Sequence, residues 1–181
     1  MHDPQGILRV FRRSAAIGVA TWLLGALLVR PGLAGALLLA GPVVAVPLGL
    51  ALAVPDGVSG APFRLWRAAA WVQLPAGLLL LAAFGLDAGP WAAALSLPWL
   101  AFTALTALLG LLRLLQRLGA RGAFAPSELA IDAGLAYLAV GGAWTLFSRW
   151  GQPFLGFKEP LVLLTGAHFH FAGFALPLLT G

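Results

Sequence analysis

Six long apolar stretches with almost no charge inside them constrain the fold of this chain more than any other feature. They run over residues 14–29, 31–55, 68–86, 88–112, 129–148 and 160–180, and a transmembrane helix needs about 20 mostly apolar residues. Only 9% of the 181 residues are charged and 61% are hydrophobic, whereas a soluble domain carries about 25% charge. We therefore predict an all-α membrane protein, a six-transmembrane-helix bundle that forms one polytopic domain over residues 1–181.

The same composition excludes a soluble enzyme, a nucleic-acid binder and a disordered protein. The chain has no Cys, and it therefore has no disulfide, thiolate metal site or Cys nucleophile. It also lacks a P-loop, a GxSxG elbow and a GxGxxG loop, so we assign no catalytic residue and expect a role other than catalysis. The expected surroundings are the lipid bilayer, with a homo-oligomer or another membrane subunit as the protein partner.

The basic residues predict the orientation. The N-terminal segment and the loops 56–67 and 113–128 carry most of the bases: Arg9, Arg12, Arg13, Arg64, Arg67, Arg113, Arg117 and Arg121. The opposite side carries only Arg30, Arg149 and Lys158. Cytoplasmic loops are enriched in Arg and Lys, so we expect both termini in the cytoplasm of a multi-pass protein in the bacterial inner membrane. We prefer a retained first helix to a signal peptide, because the rest of the chain is as apolar as its start.

Two histidines lie in the middle of the last apolar stretch, in the sequence LTGAHFHFAGF over residues 164–174. With about 1.5 Å of rise per residue, His168 and His170 lie about 12 and 15 Å beyond Pro160, close to the middle of a hydrocarbon core about 30 Å thick. Helical residues i and i+2 point about 200° apart, so the two side chains face opposite sides. They cannot ligate one metal together unless the helix is locally unwound.

The LTGAHFHFAGF stretch, together with Gly142-Ala143-Trp144 and the loop from Gln152-Pro153 to Phe157, resembles the YndJ-like family of uncharacterised bacterial membrane proteins. The resemblance covers about residues 126–181. In that family the chain continues past the histidine helix, which implies that residues 1–181 are the N-terminal part of a longer chain. The family has no established biochemical role, so the resemblance implies no mechanism.

The shorter sequence Ala-His-Phe-His-Phe, residues 167–171, also looks like a helix in the catalytic subunit of heme-copper oxidases. Two histidines of that helix bind two hemes on opposite faces, which makes His168 and His170 candidate heme or metal ligands. The chain has one further histidine, His2, in the N-terminal segment. A heme bound here would therefore be five-coordinate or would take its sixth ligand from another subunit.

Acidic residues form a second candidate group. Glu128 and Asp132 are four residues apart at the predicted start of the fifth helix, so they share one face. A carboxylate is favourable at a helix N-terminus, which accounts for Glu128 and for Glu159 before the sixth helix. Asp132 lies one turn deeper, where a charge is costly, and we expect a functional or interhelical role for it. Tyr137 is a further polar candidate, at a helical spacing that favours an interior position.

Three interpretations of the His-x-His motif remain at this point. Both histidines form hydrogen bonds to neighbouring helices, each worth about 0.6–2 kcal/mol, or they hold a heme or metal, or they relay protons or substrate. We therefore predict a polytopic inner-membrane protein whose candidate functional site is this motif. A heme- or metal-binding protein and a proton-coupled small-molecule carrier are the two alternatives.

Overall fold

The computed structural model describes residues 4–55, 59–119 and 125–181. Within these ranges the chain forms six helices long and apolar enough to cross a membrane, which confirms the predicted all-α fold. We number them in chain order: α1 Pro4–Leu28, α2 Gly32–Ala53, α3 Gly60–Ala83, α4 Pro90–Gly119, α5 Pro126–Trp150 and α6 Leu161–Thr180. We call the end of the bundle where α1, α3 and α5 begin the basic end.

The predicted boundaries are wrong mainly at this basic end. Helix α1 begins at Pro4 instead of residue 14, α3 begins at Gly60 instead of 68, and α4 continues to Gly119 instead of 112. The arginines predicted in loops therefore lie on helices: Arg64, Arg67, Arg113 and Arg117. Arginine has a high helix propensity and a long stem that carries its charge away from the hydrocarbon, so a helix does not have to end where the apolar stretch ends. Arg121 lies outside the described residues.

Helices α2 and α6 each contain a π-helical segment, in which the backbone hydrogen bonds run between residues i and i+5. The segments are Gly41–Ala45 in α2 and Phe169–Ala175 in α6. Pro42 has no N–H to donate to the helix backbone, and the widened turn of α2 lies at this residue. The segment in α6 contains no proline, so the sequence carried no prediction of it. Pro75 and Pro98 lie inside α3 and α4, which continue through them.

Small residues of α5 allow close packing against its two main neighbours, α4 and α6. A Cβ atom added at Gly142 would overlap Thr103 of α4, and one added at Gly134 would overlap Leu178 of α6. Gly134 and Gly142 are therefore positions of close packing between α5 and its neighbours. Packing of this kind drives helix association in membranes, where lipid tails are as apolar as the helices.

Many large apolar side chains are exposed on the outer surface of the bundle. Leu28, Leu33 and Leu179, for example, are 81%, 79% and 71% exposed. Soluble monomeric proteins rarely expose large continuous apolar surfaces to water. The core contains fully buried large side chains, among them Trp66, Trp99, Phe102, Phe174 and Leu138. The exposed leucines therefore indicate a lipid environment.

Candidate functional site

His170 is completely buried, with 0% of its surface exposed. Its Nδ1 atom lies 2.7 Å from the carbonyl oxygen of Gly166, and its Nε2 atom lies 3.1 Å from the indole nitrogen of Trp99 on α4. An indole N–H can only donate, so Nε2 is the acceptor of this bond. Nδ1 then carries the proton and donates it to Gly166. The protein thus occupies both ring nitrogens.

Two glycines let neighbouring helices approach the His170 ring. A Cβ at Gly41, in the π-helical segment of α2, would lie 2.8 Å from the Cβ of His170, and one at Gly141 of α5 would lie 3.0 Å from Nδ1. The rings of Trp99 and His170 are nearly parallel, with centroids 5.7 Å apart. We call this group, His170 with Trp99, Gly41, Gly141 and Gly166, the His170 centre. Helices α2, α4, α5 and α6 meet in it, and the four residues around His170 carry no charge.

His168 lies on the opposite side of α6, as its spacing from His170 predicts. Its side chain is exposed on the outer surface of the bundle, and its ring contacts Phe169 edge to face with centroids 5.5 Å apart. The two histidines therefore do not face a common site.

The His170 centre does not fit a heme or metal ligand in this arrangement. Iron would need the lone pair of Nε2, and that lone pair points at the Trp99 N–H, so ligation requires this hydrogen bond to break. The part of the chain that the structure describes also contains no group of three or more His, Cys, Asp or Glu side chains that could hold a metal ion. Heme or metal ligation by His168 or His170 stays a prediction from the sequence.

A second polar group lies at the basic end, where α4 ends and α5 begins. Arg113 binds Asp132 through Nε at 2.9 Å and Glu128 through Nη2 at 2.7 Å. Arg117 lies 3.1 Å from Glu128 and also contacts Asp132. We call these four residues the ion-pair cluster. Arg113 also donates to the carbonyl oxygen of Ala53 at 3.0 Å, so the cluster ties the end of α2 to α4 and α5.

The ion-pair cluster gives Asp132 the interhelical role that the sequence predicted, but its partners were missed. Arg113 and Arg117 had been assigned to a loop that sets orientation. A signal was present, because Arg113 and Arg117 share the four-residue spacing of Glu128 and Asp132. Residues four apart lie on one face of a helix. Both arginines of α4 can therefore contact both carboxylates of α5 when the two helices lie side by side.

Gln73 of α3 is a further buried polar residue, with 0% of its surface exposed. Its Nε2 donates to the carbonyl oxygen of Pro42 at 2.7 Å. This carbonyl lies in the π-helical segment of α2, where the regular backbone hydrogen bonds are disturbed. The Oε1 atom of Gln73 has no hydrogen-bond partner among the described residues.

The remaining candidates lie away from the His170 centre. Tyr137 is 49% exposed and its ring packs on Phe169 with centroids 5.9 Å apart, so the predicted interior position is wrong. Glu159 is exposed and accepts a hydrogen bond from the backbone N–H of Leu163 at 3.2 Å. That is the helix N-terminal contact that the sequence favours for it.

Aromatic rings fill the end of the bundle opposite the basic end. Phe154, in the loop after α5, stacks on Phe147 with centroids 4.0 Å apart and meets the edge of Trp144 at 4.8 Å. Phe157 also contacts Trp144, at 5.8 Å. The loop thus folds back on α5 and packs its aromatic rings against that helix.

Six helices of membrane-spanning length around a buried polar centre define a polytopic α-helical membrane protein. The chain belongs to the YndJ-like protein family, whose model matches residues 36–181. The match begins in α2 and includes the His170 centre and the ion-pair cluster, whereas α1 lies outside it. Comparisons with curated proteins and with solved structures give no match.

Proposed function

We propose that this YndJ-like protein is a proton-coupled small-molecule carrier of the bacterial inner membrane, with both termini in the cytoplasm. The observation that carries the proposal is the position of His170. It is a fully buried titratable side chain within one π-helical segment, and it contacts a second such segment through Gly41.

The two π-helical segments support a moving part at the middle of the membrane. Carriers commonly bind their substrates near the bilayer midplane, between helices with an interrupted backbone. A π-helical turn leaves backbone hydrogen bonds in a less regular arrangement and often marks a functional position. Helices α2 and α6 have these segments side by side, so a small change in one is transmitted directly to the other.

Protonation of His170 supplies the coupling. The proton adds to Nε2, which changes this atom from an acceptor to a donor. It then faces the Trp99 N–H, also a donor, and the bond between α4 and α6 is lost. The neighbours Gly41, Trp99, Gly141 and Gly166 offer no charge to offset the new one, and an uncompensated buried charge is unstable. The helices therefore separate until water or substrate reaches the ring, and loss of the proton from Nε2 restores the bond.

The ion-pair cluster is placed to close the basic end in one of the two states. A carrier exposes its midplane site alternately to the two sides of the membrane. Arg113 holds α2, α4 and α5 together at this end, so inward opening requires some of these contacts to break. The arginines of α3 and α4 at the same end also support its cytoplasmic location, because bases are enriched on that side.

The absence of Cys from the sequence allows a direct test with single cysteines. Ser96→Cys and Thr106→Cys place a thiol at buried positions of α4, 2% and 0% exposed, on either side of Trp99. In proteoliposomes, we compare the rate of labelling by a water-soluble thiol reagent with the rate at an exposed control cysteine at the same pH, because only the thiolate reacts. We expect this relative rate to be higher at about pH 4 than at about pH 8, at one or both positions, since burial in an apolar site disfavours the charged imidazole. Ser59→Cys, at an exposed position before α3, controls for the pH dependence of the reagent itself.

The matched variants are His170→Gln and His168→Gln. Glutamine can accept the Trp99 hydrogen bond but does not titrate, so we expect His170→Gln to remove the pH dependence of labelling and His168→Gln to keep it. If the labelling rate relative to Ser59→Cys is the same at both pH values while His170 is present, the proposal is contradicted. A Soret band in the purified protein that disappears in His168→Ala or His170→Ala would instead favour the heme-binding alternative.

A further inference from the structure

A groove runs along the outside of the bundle between α1 and α3. At the basic end it opens into a cavity of about 350 Å³ lined by Arg9, Arg13 and Arg67. Deeper in the membrane it continues as a cavity of about 320 Å³ lined by Ile17, Leu74 and Pro75 among others. Val10, Arg13, Ala70 and Trp71 line both cavities, so the two are parts of one surface feature, which we call the α1–α3 groove.

The basic part of the groove gathers positive charge from two helices. Arg9 and Arg13 are one turn apart on the same face of α1, and Arg67 faces them from α3. All three side chains are exposed, and no acidic residue is among the described residues that line the groove. Guanidinium groups bind phosphate through two parallel hydrogen bonds, so an anion with phosphate oxygens fits this part.

The deep part of the groove fits a hydrocarbon chain. Its lining is almost entirely apolar, and Trp71, which is 67% exposed, forms part of its wall. A tryptophan beside a cluster of arginines is typical of the boundary between headgroups and hydrocarbon. The charged part and the apolar part therefore follow each other in the order of a phospholipid headgroup and its acyl chain.

We propose that the α1–α3 groove binds an anionic phospholipid, with its phosphate on Arg9, Arg13 and Arg67 and an acyl chain along Ile17 and Leu74. Basic pockets between transmembrane helices bind anionic headgroups in this way. The groove includes neither His170 nor any residue of the ion-pair cluster. Lipid binding there is therefore independent of the proposed carrier activity.

Native mass spectrometry of the purified protein in detergent tests the site. Phosphatidylglycerol and phosphatidylcholine with the same acyl chains are titrated separately, and the bound lipid is counted at each concentration. We expect phosphatidylglycerol to bind at least about tenfold more tightly, because each arginine near an anionic headgroup contributes on the order of a factor of five. Equal binding of the two lipids would overturn the proposal.

The double variant Arg13→Gln/Arg67→Gln removes two of the three charges from the groove. Its matched control is Arg12→Gln/Arg64→Gln, which removes the same charge from exposed positions of the same two helices that do not line the groove. We expect the first variant to weaken phosphatidylglycerol binding about 25-fold, two factors of about five, and the control less than about twofold. If both double variants lose the same affinity for phosphatidylglycerol, the lipid is attracted only by general surface charge, and the site is overturned. Unchanged affinity in both variants would also overturn it.

Competition with inorganic phosphate tests whether the groove binds the whole lipid or only an anion. If the acyl chain contributes, phosphate alone at millimolar concentration will not displace phosphatidylglycerol. Displacement would show that the site recognises a free anion and would overturn the lipid assignment. All four substituted side chains are exposed, so we expect both double variants to fold. A thermal unfolding curve for each variant verifies this.

Discussion

The His170 centre and the ion-pair cluster bury polar groups in two different ways. The His170 centre lies near the middle of the bundle and contains only neutral groups, joined by two hydrogen bonds. The ion-pair cluster lies at the basic end and contains four charges, with Asp132 only 4% exposed. Charges far from water are costly unless paired. The chain therefore keeps these full charges at one end of the bundle and a neutral hydrogen-bonded imidazole in its interior.

This comparison predicts that the largest loss of stability comes from the ion-pair cluster. Asp132→Ala removes the carboxylate that Arg113 and Arg117 share and leaves Arg113 partly buried without it. Breaking one side of a buried ion pair costs about 3–5 kcal/mol, and we expect a loss toward the lower end of that range. Unfolding in detergent micelles measures it. Glu159→Ala removes an exposed carboxylate as the control, and an equal effect of the two variants would contradict the difference between them.

A smaller loss is expected from Gly41→Ala in the His170 centre. The added Cβ would lie 2.8 Å from the Cβ of His170, which is bonded to the backbone and cannot move unless α6 moves with it. Overpacking of this kind costs about 1–3 kcal/mol. Gly89→Ala, whose Cβ would meet no atom within 4 Å, is the control in the same unfolding experiment. Unchanged stability in Gly41→Ala would show that α2 and α6 are less closely packed here than the structure indicates.

Trp99→Phe isolates the hydrogen bond itself, because it removes the N–H and keeps an aromatic ring beside His170. Interhelical hydrogen bonds in membranes contribute about 0.6–1.7 kcal/mol, and we expect a loss of about 1 kcal/mol. A double-mutant cycle with His170→Phe gives the coupling between the two side chains. Strictly additive effects would indicate that the two rings only pack and share no hydrogen bond.

His168→Ala is expected to have the smallest effect on unfolding, below about 0.5 kcal/mol, as for most exposed positions. It lies two residues from His170 on the same helix, so the two substitutions compare exposed and buried imidazoles at nearly the same depth. A loss as large as that of His170→Ala would show that the outer face of α6 is covered by another membrane subunit or a second copy of the chain, one of the partners expected from the sequence.

Sequence reasoning predicted the features that follow from rigid local geometry. Six stretches of suitable length predict six helices, and the spacing of His168 and His170 predicts their opposite faces, because a helix turns about 100° per residue. The rotation of α5 was not predictable in the same way. Its residues are apolar on most sides, so no periodic pattern shows that Tyr137 is exposed while its neighbour Leu138 is fully buried.

Pairing between helices was harder to predict than the helices themselves. The interaction of Arg113 with Asp132 depends on how far α4 extends beyond its apolar part, which hydropathy underestimates. The hydrogen bond from Trp99 to His170 joins residues 71 positions apart, and no local pattern connects them. The π-helical segment of α6 contains no proline, so its sequence carried no signal for it.

The central claim is that protonation of His170 at Nε2 breaks its bond to Trp99, and ¹⁵N NMR of the protein in lipid bilayers tests this directly. With ¹⁵N-labelled histidine and tryptophan, His170→Gln and Trp99→Phe assign the two side chains. The account predicts a single His170 tautomer at neutral pH, with the proton on Nδ1 and an unprotonated, hydrogen-bonded Nε2. On acidification, Nε2 gains a proton and the Trp99 indole signal shifts in the same pH range. A proton on Nε2 at neutral pH, or a Trp99 signal that does not change as His170 titrates, would contradict the account.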